Sequence, residues 1–317
     1  MGTPKFAADI LASLLECPWI DVPCVYTQPD RPAGRGKKLI PSPVKNLACA
    51  HNIPVRQPLS LKKEPAEQDF LAGLKPDYLV VAAYGMILPQ TVLDLPRYAP
   101  VNVHTSLLPA YRGSAPVQRA LMDGVERTGV SIMRMEAGLD TGPVYASASV
   151  ATAGETSGSL LDRMAGLAVP LLLSVLRDIP EGHCVPVEQT GTSSYAAKIS
   201  KQDGWIDFHR PARLVDCHIR AVTPDPGAHV TLSLEQGPVT VVLEEVCCTE
   251  NETGAEAGSV LARKGQLVLV CAEGALQVVR LKPQGKKSMD VASFLNGQRL
   301  AGSSLSRAGH IVPVGAE

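Results

Sequence analysis

Residues 78–83, Tyr-Leu-Val-Val-Ala-Ala, are apolar without a break. A short run with no polar face suits a strand covered on both sides, the kind found inside parallel sheets packed between helices. The flanking segments fit that setting. Residues 4–16 carry Phe6, Ile10, Leu11, Leu14 and Leu15 at helical spacing. Residues 20–27, 101–104 and 130–135 read as strands, and 44–51, 115–122 and 157–177 as helices. Residues 28–43, rich in Pro, Gly and base, read as a long loop.

Strands alternating with helices predict an α/β domain with a Rossmann-like parallel sheet and crossover helices, spanning 1–188. The pattern changes near residue 190. A polar stretch, 189–203, reads as a linker. A helix follows at 212–221, then short strands at 228–234, 238–246, 259–262, 266–272 and 275–281, and a last helix at 291–299. Several short strands in succession predict a small OB-like β-barrel over 204–317.

Hydrophobic residues make up 45% of the 317 positions and charged residues 19%, so a packed core is expected. No apolar run approaches the roughly 20 residues of a membrane helix. Nothing at the N-terminus resembles a secretory signal. The 8 cysteines are scattered, without metal-ligand spacing. They are expected to be small buried hydrophobes in a reducing, cytoplasmic setting. The formal net charge is only −1, but its distribution is uneven. Between Asp30 and Lys45, Arg31, Arg35, Lys37, Lys38 and Lys45 face a single acid. Residues 258–317 carry a second basic excess that includes Lys286 and Lys287. Such asymmetry suits a face that meets phosphate, and equally suits two solvated patches.

The chemistry concentrates in Asn102-Val-His104-Thr-Ser106-Leu107-Leu108-Pro109. Two residues apart at a strand end, Asn102 and His104 share a face, and open α/β sheets bind ligands off the carboxyl ends of their strands. Gly138-Leu-Asp140-Thr-Gly142 follows the next strand and brings a carboxylate toward the same edge. An amide that donates to an oxyanion, an imidazole that moves protons and a carboxylate that orients the ring make an acyl-transfer set. Each also has an ordinary reading as a turn or cap residue.

These segments, with Tyr111-Arg-Gly-Ser-Ala-Pro116 and Thr128-Gly-Val130, resemble the folate-dependent formyltransferases. Gly2-Thr-Pro4, the basic run from Thr27 to Lys38, Pro41-Ser-Pro-Val-Lys45, Ala83-Tyr-Gly85, Tyr195-Ala-x-Lys-Ile199 and Ile206-Asp207 resemble the branch that acts on methionyl-tRNA. The resemblance covers nearly the whole chain. It implies that Asn102, His104 and Asp140 are catalytic. It places a folate at Ser106, Leu107, Leu108 and Pro109, with Tyr84, Gly85 and Leu88 and residues 137–140 lining a pterin pocket largely through backbone. It assigns Arg31, Arg35, Lys37, Lys38, Lys45, Lys286 and Lys287 to tRNA. The implied activity is transfer of a formyl group from 10-formyltetrahydrofolate to initiator methionyl-tRNA by a monomer that needs no metal.

Two departures stand out. The family carries a short apolar strand before Gly-Thr-Pro, whereas this sequence begins at Met1-Gly2. Neighbouring strands are therefore expected to lack backbone partners and to flank a gap in the core. Pro224-Asp225-Pro226 also lacks the usual aromatic between its prolines. Rival functions are the same chemistry on another acceptor, a formyltetrahydrofolate hydrolase, and a non-catalytic RNA-binding module. The basic loop 31–45 and the C-terminal barrel disfavour the first two, and the Asn102, His104 and Asp140 set disfavours the third.

Overall fold

The computed structural model describes residues 1–33, 38–234, 237–252, 254–263, 265–296 and 307–310. The chain forms two units. One comprises Met1–Pro116, Arg127–Ala151 and Leu161–Ala197, the other Val117–Glu126, Thr152–Leu160 and Lys198–Glu317.

In the first unit, Ala99–His104 is buried along its whole length. It pairs in parallel with Tyr78–Val81 and antiparallel with Arg127–Arg134, which in turn pairs antiparallel with Val144–Ala151. The expected parallel sheet is thus mixed. Val144–Ala151 was not foreseen, because its polar–apolar alternation is weak. A separate parallel pair joins Val25–Tyr26 to Val55–Arg56. Of the strand expected at 20–27, only those two residues form. Residues 28–43 are not all loop, since Arg31–Ala33 and Lys38–Ile40 pair as an antiparallel ladder. The helix Lys5–Leu15 buries Phe6, Ile10, Leu11 and Leu14, as its spacing requires. Pro43–Ala50 starts on Ser42, whose hydroxyl accepts from the Lys45 N–H at 3.0 Å, with Pro at the first helical turn.

Met1 and Gly2 bridge Val25–Tyr26 and Tyr78–Val81. The Gly2 N–H donates to the Tyr26 carbonyl at 2.9 Å and the Ala82 N–H to the Met1 carbonyl at 2.9 Å. The Met1 ammonium donates to the Val80 carbonyl at 2.6 Å. Behind this stub lies a cavity of about 690 Å³, lined by Leu11, Leu14, Tyr26, Leu71, Leu79 and Val80 among others. It explains why Tyr78 and Val80 are only half-buried in a run that reads as doubly covered. Burial pushes the Met1 ammonium down to about 6, with Cys24 acting weakly in the opposite sense.

The helix Ser157–Asp178 has the length and composition of a membrane span, contrary to the reading that no such run exists. Its Met164, Leu172, Val175 and Leu176 are buried within the protein, and Asp162 pairs with Lys5 at 2.9 Å. In the second unit, Ala212–Ala221 packs Val215 and Ile219 inward. An antiparallel sheet runs in the order Ala228–Leu234, Gly237–Thr249, Ala275–Pro283, Gln266–Val270, Ser259–Arg263 and Arg307–His310. This curled sheet contains all five expected strands, with the second and fifth extended at their carboxyl ends and the fourth stopping at Val270, and Arg307–His310 was not foreseen. The last helix runs Val291–Asn296, and the rest of its expected length lies outside the described residues. All 8 cysteines are free. Cys17, Cys217 and Cys271 are buried as expected, but Cys49, Cys247 and Cys248 are exposed.

Candidate active site

Asn102 and His104 sit on the innermost strand at 8% and 5% exposure, facing the Asp140 turn. The His104 Nδ1 lies 3.8 Å from the Asp140 Oδ2, so the ring pairs with the carboxylate when protonated. Its Nε2 contacts the Tyr111 carbonyl at 2.9 Å. A carbonyl only accepts, so Nε2 carries a proton and the Nδ1 side is left for chemistry. The Asn102 Nδ2 reaches the Asp140 Oδ1 at 3.5 Å, a weak engagement that leaves the amide able to donate elsewhere. The three predicted catalytic residues therefore converge.

The Asp140 turn is held firmly. Asp140 adopts φ +50°, which few non-glycine residues do. Its Oδ2 accepts from the Gly113 N–H at 2.8 Å. The Gln189 amide nitrogen donates to the carbonyls of Asp140 at 2.8 Å and Gly142 at 2.7 Å. Sequence reasoning missed Gly113 and Gln189. Gly113 lies in a turn-like stretch with no polar side chain to mark it, and Gln189 opens a polar segment without periodicity. Gly113 has φ +117°, and a Cβ there would meet the Ala196 carbonyl oxygen at 2.7 Å. Gly113→Ala is therefore expected to lower the thermal midpoint and to cut turnover, since the N–H that holds Asp140 moves with the strained backbone. Paired melts and initial rates check this, and unchanged values of both would contradict it.

The segment from Ser106 to Pro109 is ordered around Ser131, which stands opposite His104 in the sheet. The Ser131 hydroxyl donates to the Ser106 carbonyl at 2.8 Å and accepts from the Leu108 N–H at 3.2 Å. Ser106 donates to the Ala110 carbonyl at 2.6 Å. Leu107, Leu108 and Pro109 are half-buried. Tyr84 and Leu88 point into the core beside Tyr26, Leu71 and Leu79, so only their backbone is available to a ligand. The Tyr84 carbonyl already accepts from Gln28 at 2.9 Å and Thr3 at 3.1 Å. Gly85 is exposed.

Residues 1–176 match the formyl transferase family, and residues 198–299 match the formyl transferase C-terminal domain. The methionyl-tRNA formyltransferase of Desulfovibrio desulfuricans is 46% identical over 307 residues, covering 94% of this chain and 91% of the relative. That of Halorhodospira halophila is 45% identical over 302 residues, covering 94% and 95%. This chain belongs to the methionyl-tRNA formyltransferase family. A solved structure, WlaRD, a sugar 3N-formyl transferase in the presence of dTDP and 5-N-formyl-THF, shares the fold. It has a TM-score of 0.61 at 15% identity, over 90% of this chain and 97% of that one.

The methionyl-tRNA formyltransferase resemblance also named basic residues, and their surroundings differ. The Lys45 ammonium is engaged by Asp30 at 2.7 Å and Gln57 at 2.8 Å, which holds the Asp30 carboxyl below the usual range. Lys45 thus anchors the base of the basic segment instead of projecting from it. Arg31 is exposed and donates to Gln28. Arg35 and Lys37, and the side chain of Lys38, lie outside the described residues. Beside them, Leu39 and Ile40 are exposed. Lys286 and Lys287 are exposed after the strand Ala275–Pro283.

Proposed function

We propose that this protein moves the formyl group of 10-formyltetrahydrofolate onto the amino group of methionyl-tRNA, with initiator tRNA as the acceptor. The observation that carries the reading is the convergence of Asn102, His104 and Asp140 at the carboxyl end of Ala99–His104, in a chain 46% identical to a protein of that name.

The amine nitrogen attacks the formyl carbon, and the carbonyl electron pair moves onto oxygen. Collapse forms the new amide, breaks the bond to N10 of the folate, and requires one proton to pass from the amine to N10. The Asn102 amide and the positive charge of protonated His104 stabilise the oxyanion. Asp140 keeps His104 aligned and takes part in the proton transfer. The donor lies along Ser106, Leu107, Leu108 and Pro109. The tRNA meets the basic segment that contains Arg31, Arg35, Lys37 and Lys38, and the curled OB-like sheet through Lys286 and Lys287. The protein works as a monomer in the cytoplasm.

The test is transfer of radiolabelled formyl from 10-formyltetrahydrofolate, with initiator methionyl-tRNA, elongator methionyl-tRNA, free methionine and water as competing acceptors. Preferential labelling of the initiator species is expected, and release to water alone would overturn the reading in favour of a hydrolase. Replacing both Lys37 and Lys38 by Ala, or both Lys286 and Lys287, should weaken tRNA binding. Each pair should flatten the salt dependence by about 1–2 in log–log slope while folate affinity holds. A matching loss of folate affinity would contradict the assignment.

A further inference from the structure

Residues 187–196 have the composition of a connector, yet their hydrogen bonds go to the loops that carry the reacting groups. Val187 exchanges both backbone hydrogen bonds with Val144, at 2.8 and 2.9 Å, just past the Asp140 turn. Tyr195 and Ala196 pair in parallel with Arg112 and Gly113. The Ser194 hydroxyl accepts from the Tyr111 N–H at 2.9 Å, and the Ser194 carbonyl from the Arg112 N–H at 2.8 Å. Tyr111 supplies the carbonyl on His104 Nε2, and Gly113 the N–H on Asp140.

Gln189 lies at the middle of this segment and its amide is fully used. The nitrogen donates to the carbonyls of Asp140 and Gly142, at 2.8 and 2.7 Å. The oxygen accepts from Arg112 Nε at 3.1 Å and Nη2 at 2.7 Å. The reversed orientation would set the amide N–H groups against a guanidinium, which has no acceptor, so the partners fix the orientation. Gln189 thus ties the Asp140 turn, with its left-handed backbone at residue 140, to the strand that presents the Gly113 N–H. It holds the Asp140 backbone directly and reaches the strand that holds its carboxylate through the Arg112 side chain.

We infer that Gln189 is a positioning residue for formyl transfer and that residues 187–196 form a strap that holds the Asp140 turn in its reactive conformation. The inference rests on Asn102, His104 and Asp140 being the reacting set. It follows from the side chain's four contacts that no apolar residue can substitute. A carboxylate would face two carbonyl oxygens with no proton to offer.

The experiment compares steady-state formyl transfer to methionyl-tRNA across pH for wild type, Gln189→Ala and Gln189→Glu, with Asp140→Asn alongside and a thermal melt for each. Gln189→Ala is expected to lose about 10–100-fold in kcat, with KM for both substrates within about threefold and an altered pH profile. Gln189→Glu is expected to recover activity as pH falls, since its protonated carboxyl regains one donor. Wild-type kcat and pH profile in Gln189→Ala would overturn the inference. So would a loss of activity that merely tracks the fraction unfolded, or a Gln189→Glu profile parallel to wild type. If Asp140→Asn loses activity while both Gln189 variants keep it, the reacting set stands and only the strap fails. If Asp140→Asn is fully active, the reacting set falls and the inference falls with it.

Discussion

Asp140→Asn is expected to lower kcat for formyl transfer by about 10²–10⁴-fold with little change in thermal midpoint. The substitution separates charge from shape. Asn tolerates a left-handed backbone well, so φ +50° persists. Its side-chain oxygen still accepts from the Gly113 N–H, now as a neutral hydrogen bond. What disappears is the negative charge beside His104 Nδ1 and the group able to carry a proton. His104→Ala should cost a similar factor. The pair together should cost little more than either alone, because residues that act as a unit are not additive. Initial rates for both single variants and the double variant check this. Full activity in Asp140→Asn would remove the carboxylate from the mechanism, and a multiplicative double loss would mean that the two act independently.

Placing five or six residues of alternating apolar pattern directly before Met1 is expected to raise the thermal midpoint by about 5–15 °C. Two effects add. The added strand would fill the 690 Å³ cavity and extend the ladder from both sides of the stub. Each apolar side chain buried there contributes about 1.5–3 kcal/mol before the cost of ordering the chain. The second effect is electrostatic. The Met1 ammonium has its pKa pushed from 8.0 to about 6 by burial. Between those values the unfolded chain holds a proton that the folded one does not, so stability climbs as pH rises from 6 to 8. Below about 6 both states are charged and the full penalty, on the order of 3 kcal/mol, is present. The extension converts the amine to an amide and should abolish that slope. Melts between pH 5.5 and 8.5, with a Gly-Ser extension of equal length as control, separate the two effects. The control should flatten the pH dependence without the large gain. An apolar extension no better than Gly-Ser would mean that the cavity does not accept a strand.

Much of the helical structure was legible in the sequence because helix spacing is a local signal. The helix 212–221 was read to the residue. The Asn102 and His104 pair was legible for a related reason, since alternation along one strand decides which side chains share a face. Strand direction was not. The connection from His104 to Arg127 contains the helix Pro116–Met122, which suits a parallel crossover. The chain instead returns antiparallel, and nothing in the hydrophobic pattern encodes direction. The basic segment 28–43 read as loop because Pro and Gly mark turns, and its short ladder depends on residues meeting across the turn.

By itself, the sequence brought forward an amide, an imidazole and a carboxylate suited to acyl transfer and located the strand that carries two of them. Only the tertiary structure decided how those side chains are held. Lys45 is anchored at the base of the basic segment because Asp30 and Gln57 stand next to it. Gln189 meets the Asp140 turn because the carbonyls of Asp140 and Gly142 converge on its amide from 49 and 47 positions away in the chain. A polar residue without periodicity carries no local sign of its partners. Its role is a property of the distance that folding closes, which composition and spacing do not contain.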